Sequence, residues 1–349
     1  MGVIWLTSSR YTRSRQSRAP VVPVTIGSYR ESFGEGWSVR VPEEIPSMLS
    51  WFSPEWRFYT PVSDGSQLWT DQLWRRGYRL QSYALGNSWR VICPRGTRRA
   101  SGTEDECLAE FNRLAGDLVD DGPPQHIAIL LHGLIRTRRC MRKLGHAIEQ
   151  SGIATVIRFD YASTRQAISS DAAALRRLVE GLPACATLSF VGHSMGNIVL
   201  RRAIGDWQSA GDPRRVLPRM HRVVMLGPPN NGAAIARLLA KLKLFGLVAG
   251  EGGLELGPNW QTLLPKLAIP PCPFAIVAGD LSKYRIRNPL VGQAGDLLVS
   301  VDEARLEGAA EFIVMPVAHS LLMTDRRVVQ FVAQFLNQPI EPILANRSN

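Results

Sequence analysis

Cysteine is scarce and unpaired in this sequence. The five cysteines, Cys93, Cys107, Cys140, Cys185 and Cys272, are odd in number, scattered, and never fall in a Cys-x-x-Cys spacing. That argues against a disulfide framework and a zinc site, and fits a reducing, cytoplasmic compartment. Long apolar runs are missing as well. No stretch approaches the roughly 18 to 20 consecutive apolar residues needed to span a bilayer. The opening MGVIWLTSSR has a short apolar patch without a basic leader, a poor secretory signal. Histidine is rare too, with six in 349 residues, so chemistry that needs an imidazole has few places to find one.

What is present reads as an ordinary globular chain, with 45% hydrophobic and 20% charged residues and length enough for a full core. The formal net charge of +11 is uneven. Residues 1–125 are close to neutral, and residues 126–349 carry nearly all of the excess. A basic surface suits nucleic acid, an anionic membrane or an acidic substrate. No aromatic-interleaved basic motif accompanies it, so nucleic acid is not expected as a partner.

The texture of the chain changes along its length. Residues 1–20 are polar and basic without an apolar period, which predicts a disordered arm. Residues 21–125 form a separate segment of unassigned role that holds most of the tryptophans, seven of the nine falling before residue 90. Within it, YRLQSYALGNSWRVICP reads as a hairpin. Leu108, Phe111, Leu114 and Leu118 then mark an amphipathic helix, with Thr103 and Glu106 as a capping box at its start. From residue 126 short apolar runs alternate with helix patterns: HIAILLHG, IATVIRFDY, TLSFVGHS, HRVVMLGPP, PFAIVAGD and EFIVMPVAH. This predicts an α/β domain over 126–349, a mostly parallel sheet with helices on both faces. Function then belongs in the loops at the carboxyl ends of its strands.

One such end carries Gly192-His193-Ser194-Met195-Gly196, between an apolar strand and a helix. Small residues there let a sharp strand-to-helix turn form, with the serine in strained geometry and exposed above the sheet. The helix that starts at Met195 offers a backbone N–H and a positive dipole end to a developing oxyanion. Ser194 is therefore a candidate nucleophile, which needs a base held by an acid. His126, His132, His146 and His193 precede it, and His221 opens a strand rather than closing one. His319, at the carboxyl end of the last strand, is the candidate base. Asp280, ending PFAIVAGD, and Asp296, in QAGDLLVS, both have the right order for the acid, with Asp302 a distant third. The loop in LLHGL, with Gly133 allowing a close approach, supplies the second oxyanion donor, so the Leu134 and Met195 amides are the expected pair. His132 reads as loop-orienting rather than as a base.

With these pieces in place, residues 126–337 resemble the lipase and esterase branch of the α/β-hydrolase superfamily. The likeness rests on LLHGL, FDYAST, VGHSMGN, LGPPNNGA, AGDLLVSVDEARLEGA and HSLLMTD. It implies cleavage of a small-molecule or lipid ester through an acyl-serine, with thioesterase, acyltransferase or non-catalytic binding as alternatives. It places the acid on Asp296, although Leu297 stands where a glycine is common. The calcium aspartate of some relatives falls here on Leu321 or Leu322, so no metal and no cofactor is expected. A lid-like insertion over about 230–272 contains Ile235, Leu238, Leu239, Leu242 and Phe245 at helical spacing, with Arg237 and Lys241 off the stripe. Such a helix could touch an anionic membrane surface. RTRRCMRK places Arg138 with Arg142, and Arg139 with Lys143, on shared helix faces that suit a phosphate-bearing acyl donor.

Overall fold

The computed structural model describes residues 66–116, 125–232, 259–284 and 294–339. The basic arm and the helical stripe of the lid-like insertion, Ile235 to Phe245, lie outside them. Among the described residues no helix is long and apolar enough to cross a membrane.

The first described elements form an antiparallel meander: β1 (Trp69–Arg75), β2 (Tyr78–Tyr83), β3 (Trp89–Ile92) and β4 (Arg98–Gly102). The β1–β2 turn uses Arg76 and Gly77, both at positive φ (51° and 82°), the backbone sign that matches the strand twist in a two-residue hairpin. Helix α1 (Glu104–Ala115) starts at the capping box Thr103–Glu106. Its buried Cys107, Phe111 and Ala115 cover Leu80 and Val91 of the meander.

The second sheet is six-stranded, ordered β10-β9-β8-β7-β5-β6, and every pairing is parallel. Its strands are β5 (His126–Leu131), β6 (Thr155–Phe159), β7 (Thr187–His193), β8 (Met220–Leu226), β9 (Phe274–Gly279) and β10 (Glu311–Met315). The central strands are apolar on both faces because both are covered: Ile127 to Leu131 of β5 are all buried. One face packs under α3 (Ile168–Glu180) and α4 (Met195–Ser209), around Phe159, Phe190 and Trp207. The other packs under α2 (Arg142–Gln150) and the closing helix Arg326–Asn337, around Leu130, Val191 and Phe335. From β5 the chain turns outward to β6, then crosses back to β7 on β5's other side. That reversal opens a crevice at the carboxyl ends of β5 and β7, where Gly133 and Ser194 stand.

The meander is fastened to the edge of this sheet at Asp71, and beside it at Thr70, which accepts from the Ala162 N–H at 3.1 Å and donates to Gln166 Oε1 at 2.6 Å. Asp71 of β1 accepts from the Asp160 N–H (2.8 Å) and from Gln81 Nε2 (2.8 Å), and is paired with Arg79. The Asp71 N–H donates to the Asp160 carbonyl (2.8 Å), closing the joint. The basic stretch after β5 departs from the expected single helix. Residues Arg138–Met141 form a 3₁₀ turn, and α2 begins only at Arg142. Four-residue pairing across that boundary is lost: Arg138 turns to Asp160, and Lys143 reaches the Thr324 carbonyl.

Candidate active site

Ser194 sits at the junction of β7 and α4 with φ 53° and ψ −123°, backbone strain that a side chain rarely tolerates. Its surroundings hold it there. The Ser194 N–H donates to the Leu226 carbonyl at 2.9 Å, and its own carbonyl accepts from the Asn197 N–H and Nδ2 at 3.0 and 3.1 Å. Both glycines are sterically required. A Cβ at Gly192 would collide with Asn197 Oδ1, and one at Gly196 would lie 2.7 and 2.8 Å from the His132 and Leu131 carbonyls. Gly196 thus lets α4 start directly against the end of β5.

His319 follows β10 in a short 3₁₀ turn, and its Nδ1 lies 2.7 Å from Asp296 Oδ2. The other carboxylate oxygen, Oδ1, accepts from the N–H groups of Leu298 (3.0 Å) and Val299 (2.8 Å), and the His319 N–H donates to the Asp296 carbonyl (3.0 Å). The Asp296 carboxylate is therefore oriented by its own loop. Leu297 adopts φ 85°, the left-handed conformation for which glycine is suited, so the loop is made by straining a leucine. Asp280 is engaged elsewhere. Its two oxygens accept from the Ser282 N–H and Oγ, each at 2.9 Å. Asp296, and not Asp280, meets His319.

The LLHGL loop lies against the serine. A Cβ on Gly133 would approach Ser194 Cβ to 3.1 Å. The loop turns through an Arg136 N–H to Gly133 carbonyl bond and Ile135 at φ 62°. Among the described residues neither the Leu134 nor the Met195 N–H finds an acceptor, which leaves two donors beside the elbow. His132 orients this loop. Its ring is buried, stacks on Tyr161 at 4.1 Å, and its Nδ1–H donates to the Gly133 carbonyl at 2.9 Å. Burial lowers its pKa to about 4, so the ring is neutral at physiological pH.

Two contributors were not assigned from the sequence. His193 is buried, and its Nε2–H donates to the His319 carbonyl at 3.0 Å, so the residue before the serine anchors the histidine loop. Its pKa is pushed well down by burial and then by His319 and Arg136. Asn197 locks the elbow to β8. Only the contiguity of Gly-His-Ser-Met-Gly-Asn hinted at either, since their partners are distant in sequence. Among the described residues no cluster of side chains could hold a metal ion.

No protein-family model matches the chain, and no curated protein matches it either. Solved structures match it by architecture. The propeptide form of the Bacillus licheniformis lipase BlEst2 aligns at 15% identity and TM-score 0.51, over 67% of this chain and 54% of that one. This chain thus spans about half the length of that form. The mature form aligns at 14% identity and TM-score 0.48, over 63% and 96%. The metagenomic carboxyl esterase MGS0156 aligns at 18% identity and TM-score 0.42, over 64% and 77%. The parallel sheet, its strand order and its covering helices are those of the α/β-hydrolase fold.

Proposed function

We propose that this protein is a serine hydrolase that cleaves carboxylic esters, with Ser194, His319 and Asp296 as its catalytic residues. The observation that carries the reading is the His319–Asp296 pair, 2.7 Å apart with Asp296 oriented by two backbone N–H groups, in a chain whose Gly-x-Ser-x-Gly serine stands at positive φ between a strand and a helix. The pair holds the imidazole with its proton on Nδ1 and its Nε2 lone pair available. His319 Nε2 takes the proton as Ser194 Oγ attacks the ester carbonyl carbon. The tetrahedral oxyanion is held by the Leu134 and Met195 N–H groups, the latter at the positive end of α4. Collapse expels the alcohol, which receives the proton from His319. Water then cleaves the acyl-serine by the same sequence.

The fold shared with the lipase BlEst2 supports a substrate with an aliphatic acyl chain. The test is hydrolysis of p-nitrophenyl acetate, butyrate and laurate by wild type and Ser194→Ala. Turnover should favour the longer chains, and the variant should lose at least about 10³-fold. A variant that retains the wild-type rate removes Ser194 from the chemistry.

A further inference from the structure

Between the meander and the 3₁₀ turn after the LLHGL loop lies a cleft of about 440 Å³. Four arginines line it: Arg90 of β3, Arg98 of β4, and Arg138 and Arg139 of the turn. The lining contains one carboxylate, Asp160. The neighbouring Asp71 is already taken by Arg79 and Gln81. Cationic charge is therefore in excess, and part of it is held away from water. The Arg90 guanidinium is brought down to about 10 chiefly by burial, with Arg98 and Arg138 pushing the same way against Asp160 and Asp71. Holding like charges together in a half-dry cleft is costly unless an anion enters.

The donors are also prearranged. The Arg90 guanidinium stacks 4.1 Å over Trp69, and its Nε–H donates to Gln81 Oε1 at 2.8 Å. Gln81 is itself fixed on Asp71. Among the described residues both Nη groups of Arg90 have no acceptor. Arg138 uses its backbone N–H and Nε on Asp160 (3.2 Å each), which turns its guanidinium along the same wall. Arg98 is exposed at the mouth and makes no ion pair among the described residues. A carboxylate ligand would neutralise one of these cations. A phosphate monoester or diphosphate presents several acceptor oxygens and two or more charges, which matches forked guanidiniums from two sides.

We propose that this cleft binds a phosphate monoester or diphosphate group, held by Arg90, Arg98 and Arg138. Its volume accommodates such a group with part of what it is attached to. Thr137 and Arg138 of its wall follow within a few residues of Leu134, so an occupied cleft would stiffen the loop that carries that amide. The site stands independently of the ester chemistry, and its test reads binding alone.

Calorimetric titration of the full chain with inorganic pyrophosphate should give saturable binding. Arg98→Glu, at an exposed position that leaves the fold intact, should weaken it by at least about tenfold. Arg214→Glu, exposed but outside the cleft, should leave it unchanged. Sedimentation with phosphatidylcholine vesicles, with and without phosphatidic acid, separates the two sources of the group. Pyrophosphate binding without phosphatidic acid dependence identifies a soluble phosphate ligand. Both together, each lost in Arg98→Glu, identify a lipid headgroup. Absence of saturable pyrophosphate binding, or binding that Arg98→Glu and Arg214→Glu weaken equally, overturns the proposal.

Discussion

Asp296→Asn isolates the orienting role proposed for Asp296, because the local hydrogen bonds dictate how the new amide must sit. In the native loop Oδ1 accepts from Leu298 N–H and Val299 N–H, while Oδ2 faces His319 Nδ1 at 2.7 Å. An asparagine must keep its oxygen on the two N–H groups, since the NH₂ group cannot accept. Reversing it would forfeit two hydrogen bonds at about 1 kcal/mol each and bury clashing donors. Its NH₂ therefore points at His319 Nδ1, which must become the acceptor, and the ring proton moves to Nε2. Ser194 then faces a donor instead of a base, and the imidazolium loses its counter-charge. The expected loss is about 10³- to 10⁴-fold in kcat with KM little changed. Steady-state hydrolysis of a p-nitrophenyl ester measures it, with circular dichroism and thermal melting as fold controls. Asp280→Asn, which disturbs only the Ser282 turn, should stay within about twofold in kcat and cost no more than about 1 kcal/mol. A folded Asp296→Asn enzyme within tenfold of wild type would refute the reasoning.

Gly196→Ala drives a methyl group to 2.7–2.8 Å from two carbonyls at the end of β5, so the start of α4 must move. We expect about 1–3 kcal/mol lost in urea unfolding and a kcat deficit near 10²-fold from the displaced serine. At Leu297 the φ of 85° reverses the usual hydrophobic ranking: Leu297→Ile should destabilise more than Leu297→Gly, because a branched Cβ fits that backbone worst. Thermal melting of the two variants decides it. Acid should weaken the fold through its buried histidines. His132, with its pKa lowered to about 4, and His193, also held well below the usual imidazole value, bind protons mainly in the unfolded chain as pH falls below about 6.5. His132 alone accounts for about 3 kcal/mol by pH 4. Asp160, raised by burial and by Asp71, acts in the opposite sense, so the decline between pH 7 and pH 4 should be steeper in Asp160→Asn. Urea titrations across that range check both slopes.

The parallel sheet was readable because each strand is a short apolar run and each helix keeps its own period. The sharp strand-to-helix turn at Ser194 was readable because its requirements are contiguous: two glycines, a serine and a helix start fall within five residues. Chain order left Asp280 and Asp296, with Asp302 a distant third, to pair with His319, since all end or follow β9 and the backbone bonds that orient Asp296 leave no trace in spacing. Residues that act across distance were not readable. The contact of His193 with the His319 carbonyl joins positions far apart in the chain, and the cleft brings Arg90 and Arg98 to arginines some forty residues later. The stretch RTRRCMRK misled for a local reason. Asp160 captures the Arg138 backbone N–H and side chain, and the chain tightens into a 3₁₀ turn instead of an α-helical one.

The most direct test of the account is covalent labelling of the full chain with a fluorophosphonate, followed by peptide mapping in a mass spectrometer. A phosphonylated serine forms only where a base activates the hydroxyl and donors hold the resulting oxyanion-like oxygen. The account predicts one adduct, on Ser194, absent in Ser194→Ala and formed far more slowly in Asp296→Asn. An adduct at another serine, or none on folded protein with detergent present, would contradict it.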